Sequence, residues 1–253
     1  MKLNKLRMLI FVFLFVGVLV MCTRKTDESI THERGFILNA RAMLEDDELS
    51  RKKLEALKGE PEAAHRIAVH FRLDYKARNP DESIQWYTIA VENGHLDAQY
   101  GLTLMIVNRE NDENFRVRRF FWLYTMFIND YRIEETEIWL TRLGYTFDTA
   151  KPPDDSNFHN GYSQLNESQL ELYKDGALRG NKRAAFVLGK YYSEIQIDND
   201  LSEYWHRIGA QNGNLECQYI LGQILHNKDN EHDQVRGDFW LRKAKESRSV
   251  NLL

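Results

Sequence analysis

Two stretches of this chain echo each other. Ile84-Gln85-Trp86-Tyr87 runs on to Asn93-Gly94-His95-Leu96-Asp97-Ala98-Gln99-Tyr100, and Tyr204-Trp205-His206 runs on to Asn212-Gly213-Asn214-Leu215-Glu216-Cys217-Gln218-Tyr219. In both, Gly follows Trp by eight residues and a small residue follows that Gly by four. Gly59, Gly94, Gly180 and Gly213 each stand four residues before Ala63, Ala98, Ala184 and Cys217. Four residues further on come Ile67, Leu102, Leu188 and Leu221, followed directly by Ala68, Thr103, Gly189 and Gly222. A unit of roughly 35 residues that recurs with Gly and aromatic anchors at fixed offsets predicts stacked helical hairpins.

Apolar and small residues at i, i+4, i+5 and i+8 form one stripe along a helix. Phe71, Met105, Tyr192 and Leu225 complete that stripe in the four units. The small pair in mid-helix predicts close approach of a neighbouring helix, which offsets the roughly 1 kcal/mol that Gly189 or Gly222 costs against Ala. A second helix then carries Trp86, Trp122, Trp205 or Trp240 beside another apolar residue, and an Asn-Gly pair supplies a left-handed stop after two of them. These residues resemble the Sel-one-like repeats, relatives of the tetratricopeptide repeats. Ala184, Leu188-Gly189, Tyr192, Tyr204-Trp205, Ala210 and Gly213 follow that family's pattern best. Ala63 to Gly94 and Cys217 to Ala244 follow it less closely, and Ala98 to Asp130 least, with Asn129-Asp130 in place of the Gly stop. The resemblance implies an all-α fold, a right-handed α-solenoid of antiparallel helix pairs, and contact with proteins rather than any particular chemistry.

The N-terminus reads as an address. Lys2, Lys5 and Arg7 precede an apolar run from Met8 to Met21. That run falls short of the roughly 20 residues that span a bilayer and suits a signal peptide, with an uncleaved anchor as the alternative. Leu19-Val20-Met21-Cys22 looks like a bacterial lipobox, although Met21 departs from the small residue usual before the Cys. The resemblance implies lipidation of Cys22, and Thr23 after it favours the periplasmic side of the outer membrane over the inner membrane. Three acyl chains would anchor firmly where one binds marginally.

Residues 1–21 are therefore expected to be the signal, 22–30 a tether, and 31–58 capping helices with a charged turn at Glu45-Asp46-Asp47-Glu48. Two repeats are expected over 59–130, a helix and a Pro-Pro loop over 131–167, and further repeats over 168–253. Leu172, eight before Gly180, marks the helix preceding that Gly as the second half of a unit. Lys151-Pro152-Pro153-Asp154-Asp155 cannot continue a helix and predicts a loop, either a connector or a protruding binding element.

The formal net charge is −4, and it falls to −7, with 31 basic against 38 acidic residues, once the three basic residues of the signal leave. That balance argues against nucleic acid as a partner. With two cysteines in the chain and Cys22 lipidated, no intrachain disulfide forms, and Cys217 reads as a small core residue. No His-Glu-x-x-His, Gly-x-Ser-x-Gly, phosphate loop or Cys-x-x-Cys is present. His65 and His70 do not share a helix face as a metal pair would, and His226 and His232 read as solvent-exposed. No catalytic residue, cofactor or metal is expected.

Binding positions are sought on the first helices, outside the packing stripe. Two residues past each small anchor stand His65, Tyr100, Phe186 and Tyr219. These flat side chains either pack on the adjacent repeat or line the concave face that holds a partner. Arg66, His70, Lys190 and Tyr191 lie near the same face, and Arg116-Val117-Arg118-Arg119 reads as a solvated helix start or a contact for an acidic partner. Sel-one-like lipoproteins are similar in kind to immunity proteins of some type VI secretion lipases. The chain is thus expected to be a non-enzymatic immunity protein that sequesters a secreted lipase toxin. The alternatives are an envelope adaptor for the cell's own complexes and, third, an envelope hydrolase.

Overall fold

A computed structural model describes residues 43–74, 76–107, 113–146, 151–159 and 161–250. The signal, the lipidation site Cys22, the tether and the Ile37-Leu38 stretch lie outside the described residues. Within them are eleven α-helices, one 3-10 turn and no strand. The helices are α1 (Asp46–Lys58), α2 (Pro61–Leu73), α3 (Pro80–Glu92), α4 (Leu96–Val107), α5 (Glu113–Ile128) and α6 (Ile133–Arg142). After the 3-10 turn Asp155–Asn157 come α7 (Glu167–Leu178), α8 (Lys182–Glu194), α9 (Asn199–Gln211), α10 (Leu215–His226) and α11 (Glu231–Val250). The expected charged turn is instead the start of α1, whose first turn is Asp46, Asp47 and Glu48. Three acids there are stabilised by the positive end of the helix dipole.

The helix stops recur in one form. The N–H groups of Glu60, His95, Asn181 and Asn214 each donate to the carbonyl five residues back, after Gly59, Gly94, Gly180 and Gly213. Those glycines have φ between +85 and +116, the left-handed geometry such a stop requires. In the weakest unit Asp130 takes the same role with φ +51, and Tyr131 N–H reaches the Met126 carbonyl. A short polar side chain tolerates the left-handed region where most residues do not.

Neighbouring helices pack in chain order, α1 on α2, α2 on α3, and so on to α5. The same succession runs from α7 to α11. Between these runs α6 packs chiefly on α5, and α5 also meets α7. The last helix, α11, packs back on the first, α1. The two junctions are built alike. Phe121 of α5 fills the space beside Gly180 after α7, and Phe239 of α11 fills the space beside Gly59 after α1. Arg118 Nη1 donates to Asn212 Oδ1 at 2.6 Å, and Arg236 Nη1 to Asn93 Oδ1 at 2.7 Å. Asn212 and Asn93 in turn donate to the Ala177 and Ala56 carbonyls, both at 2.8 Å. The described chain is thus two equivalent halves, α1–α5 and α7–α11, joined at both ends. The echo at Trp86 and Trp205 relates these halves.

Packing follows the small-residue stripe. The His206 ring of α9 lies where a Cβ on Gly189 would stand, 2.5 Å away, and Leu241 of α11 similarly closes on Gly222. Trp86, Trp122, Trp205 and Trp240 are all buried. One register differs from expectation: Leu172 is 50% exposed while Tyr173 is 4% exposed. Tyr173 turns inward because Phe158 stacks edge-on against it at 5.1 Å and fills the space over Gly176.

Candidate partner-binding surfaces

The ladder His65, Tyr100, Phe186 and Tyr219 divides between the two halves. In the first half, the His65 and His95 rings stack at 4.2 Å, and His65 tilts against Tyr87 at 5.8 Å. Arg132 lies over the Tyr100 ring at 4.7 Å and pairs with Asp97 at 3.5 Å. The Tyr131 hydroxyl also bonds Asp97, and this bond is the main reason the Asp97 carboxyl is held below its usual range. Burial, and next His95, lower the His65 pKa. In the second half, Phe186, Lys190 and Tyr219 line a groove of about 560 Å³ between α8, α10 and α11.

Two expected binding residues are not at the surface. His70 is buried, and its Nδ1 accepts the Leu44 N–H at 3.2 Å beneath the start of the described chain. Tyr191 is buried too, with its hydroxyl accepting from Gln196 at 2.7 Å. Arg66 is half-exposed and faces Glu48 at 3.9 Å, a weak surface pair.

The cluster of Glu62, His65 and His95 has the composition of a metal site. Its hydrogen bonding speaks for another role. His95 stands where Asn181 and Asn214 cap their helices, and its Nδ1 accepts the Ala98 N–H at 3.3 Å. The ring proton then sits on Nε2, facing Glu62 at 3.0 Å. A metal on Nε2 would displace that proton to Nδ1, against an N–H donor. The imidazole is therefore a helix cap.

Two arginines of the 116–119 run are not solvated. Arg118 and Arg119 are buried. Arg118 lies 3.9 Å over Phe121 and donates to Leu178, Asn212 and Gln211, and burial lowers its pKa to about 9, so it stays charged at neutral pH. Its counterpart Arg236 bonds Glu92 Oε2 at 2.6 Å, and Gln211 Nε2 bonds the other Glu92 oxygen at 2.8 Å. Burial raises the Glu92 pKa, but Arg236, Arg207 and these hydrogen bonds outweigh it and hold the carboxyl below its usual range. The polar chain Arg118–Gln211–Glu92–Arg236 links the two halves through the interior. The signal for it was present as Arg-x-x-Phe-Trp at 118–122 and again at 236–240.

The Pro-Pro loop is held down. Pro152 lies beside Gly180, Asn181 donates to the Pro153 carbonyl and to Asp155, and Phe158 is 1% exposed. Cys217 is buried against Gly209, and burial pushes its thiol pKa far up, so it behaves as a small apolar residue. His226 and His232 are exposed. None of the described helices is long and apolar enough to cross a membrane. No family model, curated protein or solved structure matches the chain.

One buried imidazole sets a pH dependence. His206 is 1% exposed, its Nδ1 is unsatisfied, and burial pushes its pKa down to about 4. The unfolded chain takes up this proton near pH 6.5 while the folded chain refuses it. Stability is therefore full above about pH 6.5 and falls as pH drops toward 4. A loss of about 2 kcal/mol between pH 7.5 and pH 5 is expected from this residue. Urea unfolding at both pH values checks it; an equal loss in His206→Gln would refute the assignment.

Proposed function

We propose that the chain is a Sel-one-like repeat protein, its hairpins wound as a right-handed solenoid, that acts by holding a protein partner. In full, it is an envelope lipoprotein anchored through Cys22 on the periplasmic side of the outer membrane, where it neutralises a cognate secreted lipase toxin. The observation that carries the binding reading is the exposed apolar surface on α6, a helix outside the two matched halves. Among the described residues α6 packs chiefly on α5, and Ile128, Ile133, Ile138 and Tyr145 on and around it are exposed. Trp139 beside Arg142, and Tyr100 beneath Arg132, add the residue types enriched at interface hot spots. Rings and ion pairs hold these side chains in place, which lowers the entropic cost of binding.

The test is purification of the lipidated protein from membranes of toxin-producing cells, with mass spectrometry of what accompanies it. One secreted enzyme at near-equal amount is expected; resident envelope proteins alone would sink the immunity reading. With that enzyme in hand, Tyr100→Ala combined with Ile138→Asp is expected to weaken binding by about 2 kcal/mol, roughly thirtyfold, in titration calorimetry. Unchanged affinity in the folded double variant would remove α6 from the binding face.

A further inference from the structure

The niche beside Tyr100 and the groove beside Tyr219 are the same place in the two halves. His65, Asp97 and Tyr100 correspond to Phe186, Glu216 and Tyr219. In the first half, Tyr131 and Arg132 fold over the niche and fill it. In the second half no described residue covers the place, and Tyr219 is 52% exposed above a floor of Ile220, Leu241 and Ala244. Its wall also carries more positive charge. Counted from Trp122 and Trp240, the first half has Phe127 and Asp130 where α11 carries Lys245 and Arg248. Both cations line the groove, and among the described residues neither is paired with a carboxylate. Lys190 lines it as well, bound to Glu194, and Glu216 is its one acid.

The first-half niche is satisfied by a guanidinium; the second-half groove asks for an anion. Its walls are helices, whose backbone groups are already bonded to one another, so an extended peptide finds no main-chain partner there. Its volume, about 560 Å³, is that of a small-ligand site and its floor is apolar. We propose that the groove binds an anionic amphiphile, with one alkyl chain along Phe186, Tyr219, Ile220 and Leu241 and a carboxylate or phosphate head between Lys245 and Arg248. This site is separate from α6 and stands independently of the partner reading.

The test uses the intact mature chain and the fluorescent fatty acid cis-parinaric acid, displaced by palmitate, by lysophosphatidylglycerol or by methyl palmitate. Saturable binding is expected. Displacement by either anion supports the proposal, and the stronger of the two names the head group. Methyl palmitate is expected to compete at least about tenfold more weakly, and Lys245→Glu/Arg248→Glu to weaken palmitate by about tenfold or more, as loss of charge-assisted bonds requires. Both substitutions are at exposed positions, so the variant is expected to fold; circular dichroism verifies this. Absence of saturable binding, equal competition by the ester, or unchanged affinity in the charge-reversed variant overturns the proposal. A parinarate-silent groove whose charge reversal weakens a protein partner overturns it too, and makes the groove a protein interface.

Discussion

Replacing Arg236 by Met is expected to destabilise the protein by about 3–5 kcal/mol, because it leaves Glu92 ionised, buried and without its cation. The two side chains are 5% and 1% exposed and 2.6 Å apart. Gln211 Nε2 remains on the carboxylate, and Lys243 bonds only the Glu92 main-chain carbonyl, at 2.5 Å. Neither replaces a guanidinium that also holds Asn93. The cost of a buried pair lies in breaking it by halves, so Glu92→Leu combined with Arg236→Met is expected to recover most of the loss. Denaturant unfolding of the two single variants and the double variant measures the coupling. Additive losses would show that the pair does not act as a unit. Hydrogen exchange offers a second readout: in Arg236→Met, protection should fall first in α1 and α11, where the ends of the chain meet.

The second large effect is expected from a single methyl group. In Gly237→Ala the new Cβ would lie 2.5 Å from the His226 backbone N and 2.8 Å from the Gly222 carbonyl O. Backbone obstructs it on both counts, so no side-chain rotation relieves the clash and α10 and α11 must part. A loss of about 3 kcal/mol is expected, at the upper end for overpacking and after allowing for Ala's better helix propensity. Gly189→Ala is the internal control, since its obstacle is the His206 ring. An imidazole can shift where a backbone cannot, so the control is expected to lose less. The reverse order of urea midpoints would refute this account of the crossing.

Gly189 and Gly222 were legible in the sequence because they recur in the stripe; Gly237 was not, because it lies on a second helix at a position occupied by Arg119 in the other half. The helix ends were legible for a similar reason. A left-handed stop followed by a cap is local chemistry, and Gly59, Gly94, Gly180 and Gly213 announce it in the chain. What escaped were contacts between residues far apart in the chain, 93 and 94 residues for Arg118 with its acceptors and 144 for Arg236 with Glu92. Arg118 looked solvated because its neighbours in sequence are charged, while its acceptors, Gln211 and Asn212, come from the other half. His70 and Tyr191 looked available because a helix surface, read alone, does not show what covers it.

The all-helical character, the hairpin unit and the places where most helices stop can be read from the chain alone, since periodicity and turn chemistry act over a few residues. The return of α11 to α1, the buried carboxylate and two arginines that join the halves, and the filling of one niche but not, among the described residues, of its counterpart emerge from the folded arrangement. Those outcomes depend on which distant surfaces meet, and burial assigns charges and rings their roles only once they have met.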